Sequence, residues 1–228
     1  MNRIGTAVLF FGDSRDAMTD IDALVSDFRR HFCGTPRIFY APGRVNLIGE
    51  HTDYNEGFVL PMAIDRGTAV AIAPRADRIL RVRSLNLDET AELDLGRVGG
   101  GRRGNWQDYI EGIVAALAER GAALGGAEAV LRSDVSIGGG LSSSAALEMA
   151  VGSALLAVSG ASMDRRDLAL AGQAAEHRHV GIQCGIMDQF CSVFAVKGHA
   201  LRIDCRSLDA VPIPLELRGT RIVVCDSR

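Results

Sequence analysis

The sequence predicts an α+β fold, and three observations carry that prediction. Strand-like and helix-like segments are mixed without the strict β-α alternation of a doubly wound sheet. Short β-prone runs are bounded by Gly and Pro turn signals at both ends of the chain. One long segment, Leu141 to Val158, is rich in Ala, Gly and Ser and almost uncharged, which implies a helix that neighbouring elements approach closely.

The elements follow in order. From Thr19 to Phe32, apolar residues recur at helical spacing (Ile21, Leu24, Val25, Phe28, Phe32). Thr19 or Asp20 is placed to cap this helix, and Gly34 with Pro36 ends it. Arg37 to Tyr40 is a short strand followed by the turn Ala41-Pro42-Gly43, and Val45 to Ile48 is a second apolar run. Thr68 to Ala73 and Ile79 to Ser84 are strands separated by the turn signal Pro74 to Asp77, and Ala91 to Leu95 alternates as an edge strand does. The Gly- and Arg-rich stretch Gly96 to Gly104 reads as a surface loop. Asn105 to Arg120 is helical, with Tyr109, Ile110, Ile113, Val114 and Leu117 on one face. Ala127 to Ser133 is a strand running into a glycine cluster. After the small-residue helix, with Glu148 its one charge, Asp164 caps a further helix to about His179, and Cys191 to Cys225 contains short β-prone runs.

Composition narrows the function classes. At 47% hydrophobic and 23% charged residues the chain is globular, and with 5% aromatics its core rests on Ala, Val, Leu and Ile. A net charge of −3 gives no basic face for nucleic acid. No apolar run approaches the ~20 residues of a membrane helix. Five cysteines without a CxxC pair point to reduced thiols in a cytoplasmic setting rather than disulfides or zinc. The apolar stretch Ile4 to Phe11 is followed at once by Asp13, Arg15 and Asp16. Residues 1–18 therefore read as an amino-terminal extension rather than a signal peptide.

Three segments carry chemistry. The run Ser136 to Ala146 places three bare glycines and three hydroxyls (Ser142, Ser143, Ser144) at the start of a helix. Main-chain N–H groups and the positive helix end make an anion site there, and a hydroxyl at the junction suits a phosphate-bound Mg²⁺. No Lys follows the last glycine, so this is not a Walker A loop. In the second segment, Glu50 to Asn55 follow an apolar run; Glu50, His51 and Asp53 supply donors and acceptors suited to sugar hydroxyls, although each alone reads as a surface turn residue. In the third, His177 and His179 point to different sides of a helix, which does not suit joint metal ligation. Glu176 near a helix C-terminus opposes the dipole, and a cation such as Mg²⁺ rationalises it. Asp188, among Ile186, Met187 and Phe190, is a carboxylate needing a partner, or else the N-cap of a short helix.

Together these segments resemble galactokinase, of the GHMP kinase superfamily. Gly43 to Pro61 (GRVNLIGEHTDYNEGFVLP) is similar to that family's galactose-recognition motif, GGGLSSSAALE to the superfamily's phosphate-binding loop, and CGIMDQF to the segment bearing the catalytic aspartate. The resemblance implies the GHMP-kinase N-terminal domain fold (ribosomal protein S5 domain 2-like), a mixed or antiparallel sheet packed on helices, over residues 19–228. It implies transfer of the γ-phosphoryl group of ATP to the anomeric hydroxyl of galactose in a monomeric protein. By position, Asp188 and Arg44 are the catalytic pair. Arg44, Glu50, His51, Asp53, Gly185 and Asp188 bind the sugar. Gly138, Gly139, Gly140, Leu141, Ser142, Ser143 and Ser144 hold the ATP phosphates, with Trp106 beside the adenine. Ser144 and Glu176 ligate Mg²⁺. Ser136 stands where the family usually has Pro, and the chain ends at Arg228, where the family continues into a second domain. Kinases of N-acetylgalactosamine or arabinose, a non-catalytic galactose-binding regulator and an inactive relative are the alternatives.

Overall fold

The computed structural model describes residues 9–10, 21–99 and 101–225. Its elements are β1 (Leu9–Phe10), α1 (Ile21–His31), β2 (Arg37–Asn46), a 3₁₀ turn (Asp53–Asn55), β3 (Phe58–Val59), β4 (Pro61–Pro74), β5 (Ile79–Ser84), β6 (Glu89–Asp94), α2 (Gln107–Glu119), β7 (Ala127–Ser133), α3 (Ser143–Val158), α4 (Arg165–Ala175), a π turn (Glu176–Val180), α5 (Met187–Phe194), β8 (His199–Asp204) and β9 (Asp209–Pro214). A six-stranded sheet has the order β1-β2-β4-β7-β5-β6, with β3-β8-β9 forming a smaller antiparallel one. The large sheet is mixed: β1–β2 and β5–β7 run parallel, and the other pairs antiparallel. This is the expected α+β class.

Strand periodicity divides the core between two faces. Ile38, Ala71, Ala73 and Val130 meet Leu24, Phe28 and Phe32 from α1 and the residue just past it. Their strand neighbours Phe39, Ala41, Val70, Ile72, Ala129 and Leu131 point the other way, into the main core with α2 to α5. α3 is buried on nearly all sides, with Ala145, Ala146, Ala150 and Ala154 fully covered, as a helix without a polar face must be. Asp164 caps α4 as expected, its carboxylate accepting from the Arg166 N–H at 2.8 Å.

The structure corrects several expectations. Arg37–Tyr40 and Val45–Ile48 are not strands on either side of a turn. Pro42-Gly43 lies within β2 as a bulge, where the register on β4 shifts between Pro42 and Arg44. The strands expected at Thr68–Ala73 and Ile79–Ser84 both form, as β4 and β5, and β7 lies between them in the sheet. The helix ending near His179 is two pieces, α4 and the π turn, and Cys191 sits in α5 rather than in a β-prone run. Within the expected extension, residues 9–10 form β1 on the edge of the large sheet; the rest of it, and the caps Thr19 and Asp20, lie outside the described residues.

Candidate active site

The glycine-rich turn leads straight from the end of β7 into α3. Gly138 and Gly140 adopt φ of +75° and +67°, a conformation that any Cβ strains, and Gly138 to Gly140 are exposed. Ser142 then takes a left-handed conformation (φ 60°, ψ 46°) before α3 begins at Ser143. The exposed glycines thus stand at the positive end of a 16-residue helix, whose first main-chain N–H groups have no partner within the helix.

Arg44 joins this turn to α5. The β2 bulge is held from two sides: the Ser192 hydroxyl donates to the Pro42 carbonyl at 2.9 Å, and the Arg44 N–H donates to the Leu141 carbonyl at 3.1 Å. So fixed, the Arg44 guanidinium donates through Nη1 to the Gly140 carbonyl at 2.6 Å and through Nε to Asp188 Oδ1 at 2.8 Å, with Nη2 2.6 Å from the same oxygen. Asp188 lies in the first turn of α5, not at its cap.

Asp53 faces the same pair. Burial raises its pKa from the ordinary aspartate value, against a hydrogen bond from the Tyr54 main chain; the Asp188 charge adds to the rise and Arg44 opposes it. Asp53 packs onto Gly185 so closely that a Cβ there would fall 1.8 Å from Asp53 Oδ2. Glu50 and His51 belong to the same turn, but their contacts are local: Asn46 Nδ2 donates to Glu50 Oε1 at 2.7 Å, and the His51 ring meets the Tyr54 hydroxyl. The turn is pinned by the Thr52 hydroxyl, within 2.7 Å of both the Gly49 and Phe58 carbonyls.

Behind the turn, the Ser144 hydroxyl donates to Glu176 Oε1 at 2.7 Å. Burial raises the Glu176 pKa, which the hydrogen bonds from Ser144 and Cys184 partly offset. Gln189 Nε2 reaches the same oxygen at 3.5 Å. His177 does not face a metal with His179; its Nε2 donates to the Cys184 carbonyl at 2.8 Å.

Beneath them lies Glu148, fully buried and approached by the Gln189 side chain. Burial, then the Glu176 charge, raises its pKa well above 4.5. A carboxyl group raised in the fold keeps a proton that the unfolded chain releases, so its contribution to stability falls as pH climbs from about 4.5 towards the folded value. Glu148→Gln, neutral at every pH, is expected to melt at least ~2–4 °C higher than the parent at pH 8. The two should converge near pH 4.5, as read by calorimetric melts across that range.

A cleft of about 610 Å³ opens beside the glycine-rich turn. It is lined by Ser143 and Ser144 from that turn, by Ile137, Leu147 and Ile182, and by Trp106, whose Nε1 donates to Glu89 Oε2 at 2.7 Å. An apolar slot running from an amide-rich turn to an indole suits a flat heteroaromatic base carrying an anionic tail. The sequence reading missed the apolar lining, the pins on the turn (Asn46, Thr52, Tyr54) and Gln189. Only the adjacency of Gln189 to Asp188 could have signalled it.

Residues 108–196, which hold the glycine-rich turn, α3 and Asp188, match the GHMP kinases N terminal domain. Residues 26–74 match the galactokinase galactose-binding signature, so the chain carries both a galactokinase signature and a GHMP kinase N-terminal match. The galactokinase of Chloroflexus aggregans (strain MD-66 / DSM 9485) is 48% identical over 211 residues, and that of Roseiflexus sp. (strain RS-1) 47% over 213. Each alignment covers 92% of this chain and 54% of the relative, so the chain spans about half the length of the curated relatives it matches. The crystal structure of Lactococcus lactis galactokinase complexed with galactose superposes with a TM-score of 0.83 at 33% identity, covering 92% of this chain and 57% of that one. Methanococcus jannaschii mevalonate kinase, at 20% identity and a TM-score of 0.65 over 80% of this chain and 56% of its own, shares the fold.

Proposed function

We propose that this chain forms the ATP- and galactose-binding face of a galactose 1-kinase, transferring the γ-phosphoryl group of ATP to the anomeric hydroxyl. The observation that carries this reading is the Arg44 guanidinium, which bonds the Asp188 carboxylate and the Gly140 carbonyl of the glycine-rich turn at once. Galactose sits against Asp53, Gly185 and Asp188, with Glu50 and His51 on the same turn. ATP lies in the cleft, its base towards Trp106 and its phosphates on the main-chain N–H groups of Gly138 to Ser144.

The chemistry needs little from the protein beyond position and charge. Asp188, held by Arg44, orients the sugar hydroxyl and accepts its proton. Arg44 offsets the charge that grows on the phosphoryl oxygens. A divalent cation fits the Ser144–Glu176 pair, where a hydroxyl and a carboxylate converge and burial disfavours the carboxylate's charge without a cation beside it. Mg²⁺ held there would neutralise phosphate charge. All five cysteines are free thiols, which supports a cytoplasmic setting. Among the described residues no helix is long and apolar enough to cross a membrane.

The test is ADP release from Mg-ATP with a panel of galactose, N-acetylgalactosamine, arabinose and glucose. Turnover that depends on galactose is the expected result. Turnover with another sugar alone would reassign the substrate, and galactose binding without turnover would make the chain a sugar-binding regulator.

A further inference from the structure

The Gly- and Arg-rich loop ahead of α2 is built more tightly than its composition suggests. Two carboxylates of α2, Asp108 and Glu111, are only 3% and 5% exposed, and both are spent on this loop. Asp108 accepts from the Arg103 N–H at 2.8 and 3.1 Å and from the Gly104 N–H at 2.7 Å. Glu111 accepts from the Gly99 N–H at 2.8 Å and pairs with the Arg103 side chain. The main chain is therefore held at Gly99 and at Arg103 and Gly104, and the Arg103 side chain is paired with Glu111.

Arg102 differs from its neighbour. It forms no ion pair among the described residues, yet it lines the cleft, the one Lys or Arg to do so. Its Nη1 lies 2.8 Å from where a Cβ on Gly181 would stand, and Gly181, at φ +80°, closes the turn that carries Glu176. The guanidinium thus reaches from the loop ahead of α2 across to the turn that carries Glu176. The acids lining the cleft are already committed: Glu89 to Trp106 and Asp108 to the loop backbone. A cation with no ion-pair partner among the described residues, beside a glycine-rich turn at a helix N-terminus, is complementary to a phosphate oxygen.

We propose that Arg102 is a nucleotide ligand of this chain, contacting a phosphate of the nucleoside di- or triphosphate in the cleft. The proposal rests on the nucleotide reading of the cleft given above. It predicts recognition of the phosphate tail and not of the base.

Trp106 is the sole Trp in the chain and lines the cleft, so its fluorescence reports occupancy directly. Adenosine and ADP are titrated into the parent chain, into Arg102→Gln, and into Arg97→Gln as a control on the same loop, whose side chain is 88% exposed. The parent is expected to bind ADP more tightly than adenosine. Arg102→Gln should loosen ADP by roughly 10-fold or more and leave adenosine unchanged, while Arg97→Gln matches the parent. Unchanged ADP affinity in Arg102→Gln, or an equal loss for adenosine, would overturn the proposal alone. Failure of the parent to bind either adenosine or ADP would overturn the nucleotide reading with it.

Discussion

Asp188→Asn is expected to lower galactose-dependent ADP formation by about 10²–10⁴-fold. Asparagine keeps the shape of the side chain and can still accept from Arg44, so α5 and the contact with the glycine-rich turn should survive. What is lost is the negative charge that aligns and deprotonates the sugar hydroxyl. ADP affinity, read by Trp106 fluorescence, should remain at the parent value, because no cleft-lining residue is touched. A coupled assay of initial rates, at saturating ATP and varied galactose, measures the loss. Retained turnover would remove Asp188 from the chemistry, and a parallel loss of ADP binding would show that the substitution had disturbed the fold.

Gly185→Ala is expected to weaken galactose binding by about 100-fold, for a purely steric reason. The added methyl would fall 2.1 Å from Asp53 Cγ and 2.7 Å from Asp53 Cβ, so a rotation of the carboxylate alone cannot clear it. Asp53 sits at the start of the 3₁₀ turn Asp53–Asn55, and moving it takes its carboxylate away from Asp188 and the sugar. Calorimetric titration with galactose reads the effect. The explanation has an internal check: once Asp53→Ala has removed the obstructed side chain, adding Gly185→Ala should cost little more. Additive losses would mean that Gly185 acts through something other than Asp53.

Most local elements were legible in the sequence because their cues are local. β7 was anticipated to the residue, since the alternating run Ala127 to Ser133 ends in a glycine cluster, and β6 was recognised as an edge strand. The N-cap of α4 followed from Asp164 alone. The misreadings share a cause, which is tertiary contact overriding a local signal. Pro42-Gly43 carries a turn signature, yet the Ser192 hydroxyl and the Leu141 carbonyl hold it as a bulge inside β2. The insertion of β7 between β4 and β5 depends on pairing across more than 40 residues, which no turn signal encodes. Within the site, the motifs named Arg44, Asp53, Gly185 and Asp188, but not that Gly185 and Asp53 pack with no room for one methyl group between them. Glu148 read as a lone charge on an apolar helix, and only packing shows it as a buried acid beneath Glu176. Arg102 was unremarkable in a Gly-Arg loop until Asp108 and Glu111 were seen to hold the backbone around it.

The most direct measurement is a crystal structure of the chain with galactose, Mg²⁺ and a non-hydrolysable ATP analogue. The anomeric oxygen should lie about 2.6–3.2 Å from an Asp188 oxygen, with the terminal phosphate between Arg44 and the main-chain N–H groups that follow Gly138. A sugar bound away from Asp188, or a nucleotide whose phosphates leave the glycine-rich turn bare, would contradict the shared site on which the proposed reaction depends.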